Sequence, residues 1–175
     1  MPKYMIAEEN IPLKNFTTFR TGGAARYFCH AQSVDDLKEA LNFSREKSLP
    51  VFVLGGGSNT LARDAGFPGL VIKMEIVARD FIDRRNKTLA VAGAGENWDD
   101  FVRECVGRNL SGIENFSLIP GTVGGAPIQN IGAYGREAKD TIEWVETFNT
   151  ETFQKETLYS RECGFRYRDS IFKRP

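Results

Sequence analysis

The chain has 175 residues, which is enough for one ordinary domain or for two small lobes with a sizeable core. Hydrophobic residues at 41% and charged residues at 26% are typical of a globular protein, and 23 basic against 23 acidic residues leave no net charge. This balance, without any basic run, argues against a nucleic-acid-binding protein. The first ten residues lack the apolar core of a signal peptide, and no apolar run could span a bilayer. We therefore expect a cytoplasmic protein with no membrane partner.

Cysteine and histidine offer little for metal binding or nucleophilic catalysis. Cys29, Cys105 and Cys163 lie far apart and form no Cys-x-x-Cys pair, so we expect three reduced thiols in packing positions. His30 is the only histidine and stands beside an apolar strand, which disfavours both a zinc site and a Ser-His-Asp triad. No metal ligand is assigned.

The first half of the chain predicts a β-α-β order. Ser33 and Asp36 resemble a capping box, with Asp in place of the usual Glu, and they open a helix that ends before Pro50. The packing face of this helix has helical spacing: Val34, Leu37, Ala40, Leu41 and Ser44. The predicted strands around the helix are 25–31, 51–54 and 70–74, with turn-rich segments at 15–23 and 63–69. This order indicates a sheet covered by a helix.

The second half predicts two hairpins and a helix. Residues 80–83 and 88–91 form the first hairpin, and residues 141–149 and 152–159 form the second. Asn97 is the candidate cap of the helix, whose predicted buried stripe is Trp98, Phe101, Val102, Cys105 and Val106. At the C-terminal end, Ile171 and Phe172 read as the beginning of an apolar strand.

The most unusual segment is the loop Ile119 to Gly135, which holds five of the 17 glycines and almost no charge. Ordinary surface loops are polar, so here the backbone itself is expected to be the working surface. Glycine lets main-chain N–H groups approach a ligand, and runs of such groups form nests that hold anionic oxygen. Gln129, Asn130 and Tyr134 add directed hydrogen bonding.

A second glycine cluster, residues 55–59, follows the strand 51–54 directly. A strand that feeds a glycine loop is a phosphate-binding arrangement in several folds. Together the two clusters predict a long ligand with a diphosphate and a flat, mostly uncharged part. Tight turns and close backbone packing remain the alternative explanation of each cluster. Residues 55–60 and 93–98 each lack the third glycine of a Rossmann fingerprint, and no Gly-Lys-Ser or Gly-Lys-Thr of a Walker loop occurs. A Rossmann dehydrogenase and a P-loop kinase are therefore disfavoured.

Residues 161–170 contain three arginines, two acids, a tyrosine and a serine. A positioned arginine can clamp a carboxylate or stabilise a developing enolate, because its guanidinium stays protonated. A solvated, salt-bridged turn is the alternative, and spacing alone does not decide between the two.

Four segments together resemble one family: 55–59, 93–98, 119–135 and the motif Tyr167-Arg168-Asp169-Ser170-Ile171-Phe172-Lys173. They are similar, in this order and over nearly the whole chain, to the UDP-N-acetylenolpyruvoylglucosamine reductase (UDP-N-acetylmuramate dehydrogenase, MurB) family. The resemblance implies an α+β, two-lobed FAD-binding domain of the vanillyl-alcohol-oxidase or PCMH type. The smaller lobe is expected at about 1–75 and the larger lobe at about 76–175.

The resemblance implies a flavoenzyme of bacterial cell-wall synthesis, in which FAD is the cofactor, NADPH the reductant and a UDP-sugar the substrate. By this similarity Arg168 is the catalytic residue, and Tyr134 and Tyr167 bind substrate. The FAD diphosphate and flavin are assigned to Leu54, Gly55, Gly56, Gly57, Ser58, Asn59, Pro120, Gly121, Thr122, Gly124, Gly125, Gln129, Asn130 and Gly132. The role of Arg168 replaces the surface salt bridge as our interpretation of the arginine segment.

The chain departs from the family pattern at its C-terminal end. The family has a further substrate-binding domain with a proton-donating serine and a glutamate, and nothing here matches either residue. Ser170 lies inside the arginine motif and is not assigned that role. We therefore expect a chain that binds FAD but turns over weakly or not at all. The alternatives are an FAD-binding module or divergent flavin oxidoreductase with another substrate, and a non-catalytic interaction domain. The sequence does not indicate an oligomeric state.

Overall fold

A computed structural model describes residues 7–173 of the chain. The chain divides into two compact units, Met1–Val77 and Ala78–Pro175. The outer ends of the two lobes expected from the sequence, residues 1–6 and 174–175, lie outside the described part.

Among residues 7–173, none of the helices combines the length and the apolar character needed to cross a membrane.

The first unit is built on one four-stranded sheet. Its strands are β1 (Glu8–Pro12), β2 (Ala24–Ala31), β3 (Val51–Leu54) and β4 (Phe67–Met74). Their order in the sheet is β1-β2-β4-β3. β1 pairs antiparallel with β2, whereas β2 and β3 both pair parallel with β4. The β-α-β order expected from the sequence is confirmed.

One helix, α1 (Val34–Glu46), packs against β2 and β4. Ser33 Oγ accepts the N–H of Asp36 at 3.1 Å, so the predicted cap is confirmed. The Asp36 carboxylate accepts the N–H of Gln32 at 2.9 Å, one residue before the position that a standard capping box uses. Residues on one helical face are buried: Leu37, Ala40, Leu41 and Ser44. The unit's core also contains Leu13, Ala25, Phe28, Leu54 and Val71.

The second unit is built around the helix α2 (Trp98–Gly107) and three antiparallel strand pairs. The pairs are β5 (Arg79–Arg84) with β6 (Lys87–Ala92), β7 (Gly132–Ala133) with β8 (Arg136–Glu137), and β9 (Trp144–Phe148) with β10 (Lys155–Tyr159). Asn97 Oδ1 caps α2 by accepting the N–H of Asp100 at 3.0 Å. The core of the unit is Trp98, Phe101, Val102, Cys105, Phe116, Ala126, Ile131 and Ala138.

The structure corrects two expectations in the first unit. β1 precedes the first strand that the sequence predicts, because its Glu-Glu-Asn residues are exposed on an edge and carry no apolar pattern. Phe67, Pro68 and Gly69 belong to β4 rather than to a turn. Glycine at position 69 permits this, since an added Cβ would lie 2.1 Å from the carbonyl oxygen of Pro50.

Two further expectations in the second unit are wrong. Val106, assigned to the buried stripe of α2, is 49% exposed because it lies near the end of the helix, where the core no longer covers it. Ile171 does not begin a strand: residues Ile171–Lys173 form a 3₁₀ turn, in which Ser170 Oγ accepts the N–H of Phe172 at 3.2 Å.

All three cysteines are buried free thiols. Burial raises the pKa of Cys29 to about 12 and also raises the pKa of Cys105 and of Cys163, because desolvation disfavours each thiolate.

We expect no reaction of the three cysteines with Ellman's reagent at pH 8 in the folded protein and full reaction in guanidinium. The raised pKa of Cys29 means that its contribution to stability is complete below pH 9.0 and is lost as the pH rises towards 12. Rapid modification of a thiol in the folded protein would contradict the expected lack of reaction with Ellman's reagent.

Candidate functional site

The glycine loop after β3 is tied back by its carbonyl groups. Lys73 Nζ, from β4, donates to the carbonyl oxygen of Gly55 at 2.6 Å. The N–H of Thr18 donates to the carbonyl oxygen of Gly57 at 3.1 Å. Leu54, which leads into the loop, is buried, whereas Gly56 and Asn59 are exposed.

The amide groups of this loop suit an anionic ligand. Within the described residues 7–173, the N–H groups of Gly56 and Gly57 donate to no main-chain carbonyl. The carbonyl oxygens of Gly55 and Gly57 thus have donors within the protein, while the amide donors of Gly56 and Gly57 are left over. Consecutive donors of this kind form the concave nests that hold phosphate oxygens. These donors are what the diphosphate hypothesis requires of the loop, and the hypothesis stays a prediction.

Lys73 is a functional candidate that sequence reasoning missed. It is half-buried, and desolvation lowers the pKa of its ammonium group, while the nearby Glu75 carboxylate acts in the opposite direction. A lysine bound to the carbonyl of Gly55 adds positive charge beneath the loop. Only its place in an otherwise apolar strand, parallel to β3, could have indicated it.

A second missed residue is Thr17. It is 7% exposed, and its Oγ1 is the one buried side-chain nitrogen or oxygen without a hydrogen-bond partner in the described part of the chain. A buried hydroxyl without a partner costs about 1–3 kcal/mol. Thr17 also lines a cavity of about 400 Å³, together with Lys14, Asn15 and Arg20.

The long loop is hydrogen-bonded along its first half to the turn before α2. The N–H of Val123 donates to the carbonyl of Glu96 at 2.9 Å, and the N–H of Gly124 donates to that of Ala94 at 3.0 Å. The N–H of Trp98 donates in return to the carbonyl of Gly121 at 3.2 Å. The segments 93–98 and 119–135, both singled out in the sequence, therefore meet in the second unit.

Asn130 anchors the second half of the long loop. It is fully buried, and its Oδ1 accepts the N–H of Lys139 at 2.9 Å. Its Nδ2 donates to the carbonyl oxygen of Arg166 at 3.0 Å. One amide side chain thus joins the loop to the arginine segment, and both of its polar ends are satisfied.

The arginine segment makes two further hydrogen bonds to the long loop. Ser170 Oγ donates to the carbonyl oxygen of Ile128 at 2.6 Å and is 1% exposed. Arg168 Nη2 donates to the carbonyl oxygen of Gly132 at 2.8 Å. Residues 166–170 are therefore not an isolated salt-bridged turn, because they are attached to the long loop, residues 119–135, at three places.

The side chains assigned to substrate lie at the surface beside this attachment. Tyr134 is 90% exposed and Tyr167 is 81% exposed, and the Arg168 guanidinium carbon lies 5.8 Å from the centre of the Tyr167 ring. The backbones of Asn130, Tyr134 and Arg168 all have positive φ, at 47°, 52° and 52°. Left-handed backbone at non-glycine residues is uncommon and occurs often at ligand sites.

Close backbone packing explains part of the glycine content. A Cβ added at Gly57 would lie 1.9 Å from the carbonyl oxygen of Phe16, and one added at Gly124 would lie 2.6 Å from Ala94 Cβ. At Gly132 the nearest atom would be the Arg136 carbonyl oxygen at 2.5 Å. Gly125 differs, because its added Cβ would make only an ordinary contact of 3.6 Å with Thr122 Oγ1. Close backbone packing thus accounts for glycine at positions 57, 124 and 132 but not at position 125.

The remaining predicted residues differ in burial. Thr122 is buried and forms an isolated β-bridge with Asn97. The others are partly buried or exposed: Gly55, Ser58, Pro120, Gly121 and Gln129. Among residues 7–173, no group of three or more metal-ligating side chains could hold a metal ion.

Comparisons with known proteins agree with this geometry. Residues 25–152 match the family model described as FAD binding domain. A UDP-N-acetylenolpyruvoylglucosamine reductase of Ralstonia nicotianae is 47% identical over 97% of the chain and 50% of that relative. The chain thus spans about half the length of the curated relatives that it matches. These matches confirm the resemblance drawn from the four motifs.

Solved structures support the fold. The UDP-N-acetylenolpyruvylglucosamine reductase (MurB) of Thermus caldophilus superposes with a TM-score of 0.78 at 32% identity, over 95% of this chain and 57% of the other. A VAO-type flavoprotein of Myceliophthora thermophila superposes with a TM-score of 0.59 at 18% identity, over 85% of this chain and 31% of the other. The expected α+β fold of the vanillyl-alcohol-oxidase type is confirmed. With its family model matched over residues 25–152, the chain belongs to the FAD binding domain family.

Proposed function

We propose that the chain is the FAD-binding part of a flavin-dependent reductase in the cytoplasm. The reaction is the NADPH-driven reduction of UDP-N-acetylglucosamine enolpyruvate to UDP-N-acetylmuramate, a step of peptidoglycan precursor synthesis that serves cell shape and division. The similarity to UDP-N-acetylenolpyruvoylglucosamine reductases supports this assignment. The main observation behind the proposal is the hydrogen bond from Arg168 to the carbonyl of Gly132 in the long loop 119–135.

Each glycine loop has its own role in holding the cofactor. The amides of Gly55 to Asn59 hold the diphosphate, with Lys73 supplying charge beneath them. The segment Pro120 to Gly132 flanks the flavin, where its small apolar residues exclude water. When bound, FAD carries the hydride from NADPH to the substrate. That both loops serve one FAD stays a prediction.

Arg168 is the residue proposed to act on the substrate. Its exposed guanidinium donates to the Gly132 carbonyl at 2.8 Å and lies 5.8 Å from the centre of the Tyr167 ring, and these two contacts orient it. Reduction of an enolpyruvyl double bond places negative charge next to the substrate carboxylate. A fixed guanidinium stabilises that charge without having to lose a proton. Tyr134 and Tyr167 contribute exposed hydroxyl groups and ring surfaces for the sugar nucleotide.

An absorption spectrum followed by anaerobic addition of NADPH tests the proposal. We expect a yellow protein whose flavin band bleaches with NADPH and changes when the enolpyruvyl UDP-sugar is added. A colourless protein that takes up no added FAD would favour the interaction-domain alternative. A band that bleaches but ignores the UDP-sugar would favour a flavin oxidoreductase with another substrate.

Replacing Arg168 with lysine tests its role in the chemistry. Lysine keeps the charge but loses the planar fork, so we expect single-turnover oxidation of the reduced protein by the enolpyruvyl UDP-sugar to slow by about 100-fold or more. Reduction by NADPH should keep its normal rate, and both steps are followed by stopped-flow absorption. Arg161→Lys, in an exposed 3₁₀ turn, is the matched control and should behave as the original chain. An unchanged oxidation rate in Arg168→Lys would remove this arginine from the reaction.

A further inference from the structure

We propose that the turn Lys14 to Arg20 is a second phosphate-binding element, in which the Thr17 hydroxyl donates a hydrogen bond to a phosphate oxygen of the FAD diphosphate. The inference rests on the proposed cofactor role of the first glycine loop. It adds residues that neither the sequence motifs nor the comparisons assign.

The cavity at this turn has the chemistry of an anion site. Among the residues that the structure describes, its lining consists of two cationic side chains, one amide and one threonine: Lys14, Arg20, Asn15 and Thr17. Within residues 7–173, neither Lys14 nor Arg20 forms an ion pair, so both charges are available. Two cations around one cavity without a protein carboxylate favour an anionic ligand.

Thr17 supplies the independent observation. Its side chain is more than nine-tenths buried, and Oγ1 has no hydrogen-bond partner in the described part of the chain. Buried hydroxyl groups are nearly always satisfied, and the exceptions are often explained by a missing ligand, ion or water. Because Oγ1 is enclosed by protein atoms, a rotation of the Thr17 side chain would bring this hydroxyl to a phosphate oxygen in the cavity that Thr17 lines.

The position of the turn assigns the phosphate to the cofactor. The N–H of Thr18 donates to the carbonyl of Gly57, and a Cβ on Gly57 would lie 1.9 Å from the Phe16 carbonyl oxygen and 3.1 Å from Thr17 Cα. The turn is thus packed directly on the loop whose amides are proposed to hold the diphosphate. One diphosphate has enough oxygens to accept from both elements.

Thr17→Val is the decisive substitution, because it removes the hydroxyl and nearly keeps the shape. Fluorescence titration of the flavin-free 175-residue chain should show FAD binding about tenfold weaker, while the melting temperature of the flavin-free protein stays level or rises. Thr17→Ser, which keeps the hydroxyl, should bind FAD within about twofold of the original affinity. Ser44→Ala removes a buried hydroxyl that already has a partner, the Leu41 carbonyl, and should leave FAD affinity unchanged.

Inorganic pyrophosphate and NADPH separate the possible phosphate sources. We expect pyrophosphate to raise the melting temperature of the flavin-free chain and this shift to be lost in Thr17→Val and in the double variant Lys14→Met/Arg20→Gln. Protection by NADPH but not by pyrophosphate or FAD would overturn the assignment to the FAD diphosphate. Unchanged FAD and pyrophosphate affinity in both variants would overturn the phosphate role of the turn.

The outcomes also separate this inference from the proposed function. A chain that binds pyrophosphate through Thr17 but no FAD would refute the cofactor proposal and leave the phosphate-binding turn standing. A chain that binds FAD equally well with Thr17 and with valine would refute the turn and leave the cofactor proposal standing. Should Thr17→Val fail to fold, the double variant decides by the same pyrophosphate shift.

Discussion

Replacing Gly57 with alanine is expected to lower the free energy of unfolding of the first unit by about 2–5 kcal/mol and to abolish FAD retention. Gly57 has φ of 71°, which is unfavourable for any residue with a Cβ. The added Cβ would also lie 1.9 Å from the carbonyl oxygen of Phe16. Because that oxygen belongs to the backbone, no side-chain rotation can relieve the contact. The loop 55–59 and the turn that contains Phe16 must therefore move apart.

Substitutions at two other glycines separate the cost of a positive φ from the cost of the steric contact. Gly135 has φ of 78°, but an added Cβ meets nothing within 4 Å, so Gly135→Ala should cost only the left-handed strain of about 1–2 kcal/mol. Gly107, at the end of α2, also has open space and should gain about 0.5–1 kcal/mol on substitution with alanine. Urea unfolding measures the free energy of unfolding of all three alanine variants. Normal FAD affinity in Gly57→Ala would show that the loop at 55–59 does not hold the cofactor.

Local signals in the sequence predicted the regular elements and the principal loops. Ser33 and Asn97 have the side chains that cap helices, and each helix was found where its cap and its apolar spacing placed it. The glycine segments and the arginine motif could be recognised because unusual composition over a short stretch is visible without any tertiary information. Arg168 was assigned by resemblance, since the residue pattern alone favoured a surface ion pair.

Tertiary contacts explain what sequence reasoning missed. Lys73 reaches the carbonyl of Gly55 because β3 and β4 are parallel neighbours, and nothing in an isolated strand indicates that contact. The lack of a partner for Thr17 is a property of its surroundings, so no residue pattern could report it. The strand expected at Ile171 failed for the same reason: Ser170 turns the backbone through its hydrogen bond to Ile128, which is 42 positions earlier.

Asn130→Ala is expected to lower the free energy of unfolding by about 2–5 kcal/mol and to weaken the attachment of the arginine segment to the loop 119–135. The substitution removes the partner of the Lys139 N–H and one of the two donors to the Arg166 carbonyl, which still accepts the N–H of Asp169. Loss of the partner of the partly buried N–H costs about 1–3 kcal/mol, and loss of the other hydrogen bond costs about 0.5–1.5 kcal/mol. Alanine also tolerates the positive φ of 47° less well than asparagine. At about 2–4 °C per kcal/mol for a chain of this size, the melting temperature should fall by roughly 10 °C.

Asn109→Ala is the matched control for the cost of placing alanine at a positive φ. Asn109 has a positive φ of 59° as well, but it is exposed beyond the end of α2. We expect a loss of only about 1 kcal/mol there, with no change in flavin spectrum. Similar losses at positions 109 and 130 would mean that the buried hydrogen bonds of Asn130 contribute little, and that the arginine segment is held to the loop by other contacts.

Asn130→Asp separates hydrogen bonding from packing, because the side chain keeps its size. Its carboxylate can still accept from Lys139, but it faces the carbonyl of Arg166 as a second acceptor, and both this contact and burial favour the protonated form. The folded-state pKa is therefore raised above the unfolded value of about 3.9. The variant should be most stable below about pH 4 and should lose stability as the pH rises through the folded-state pKa. Thermal unfolding from pH 4 to pH 8, corrected for the original chain, measures this slope, and a flat difference would show that the side chain at position 130 does not donate to Arg166.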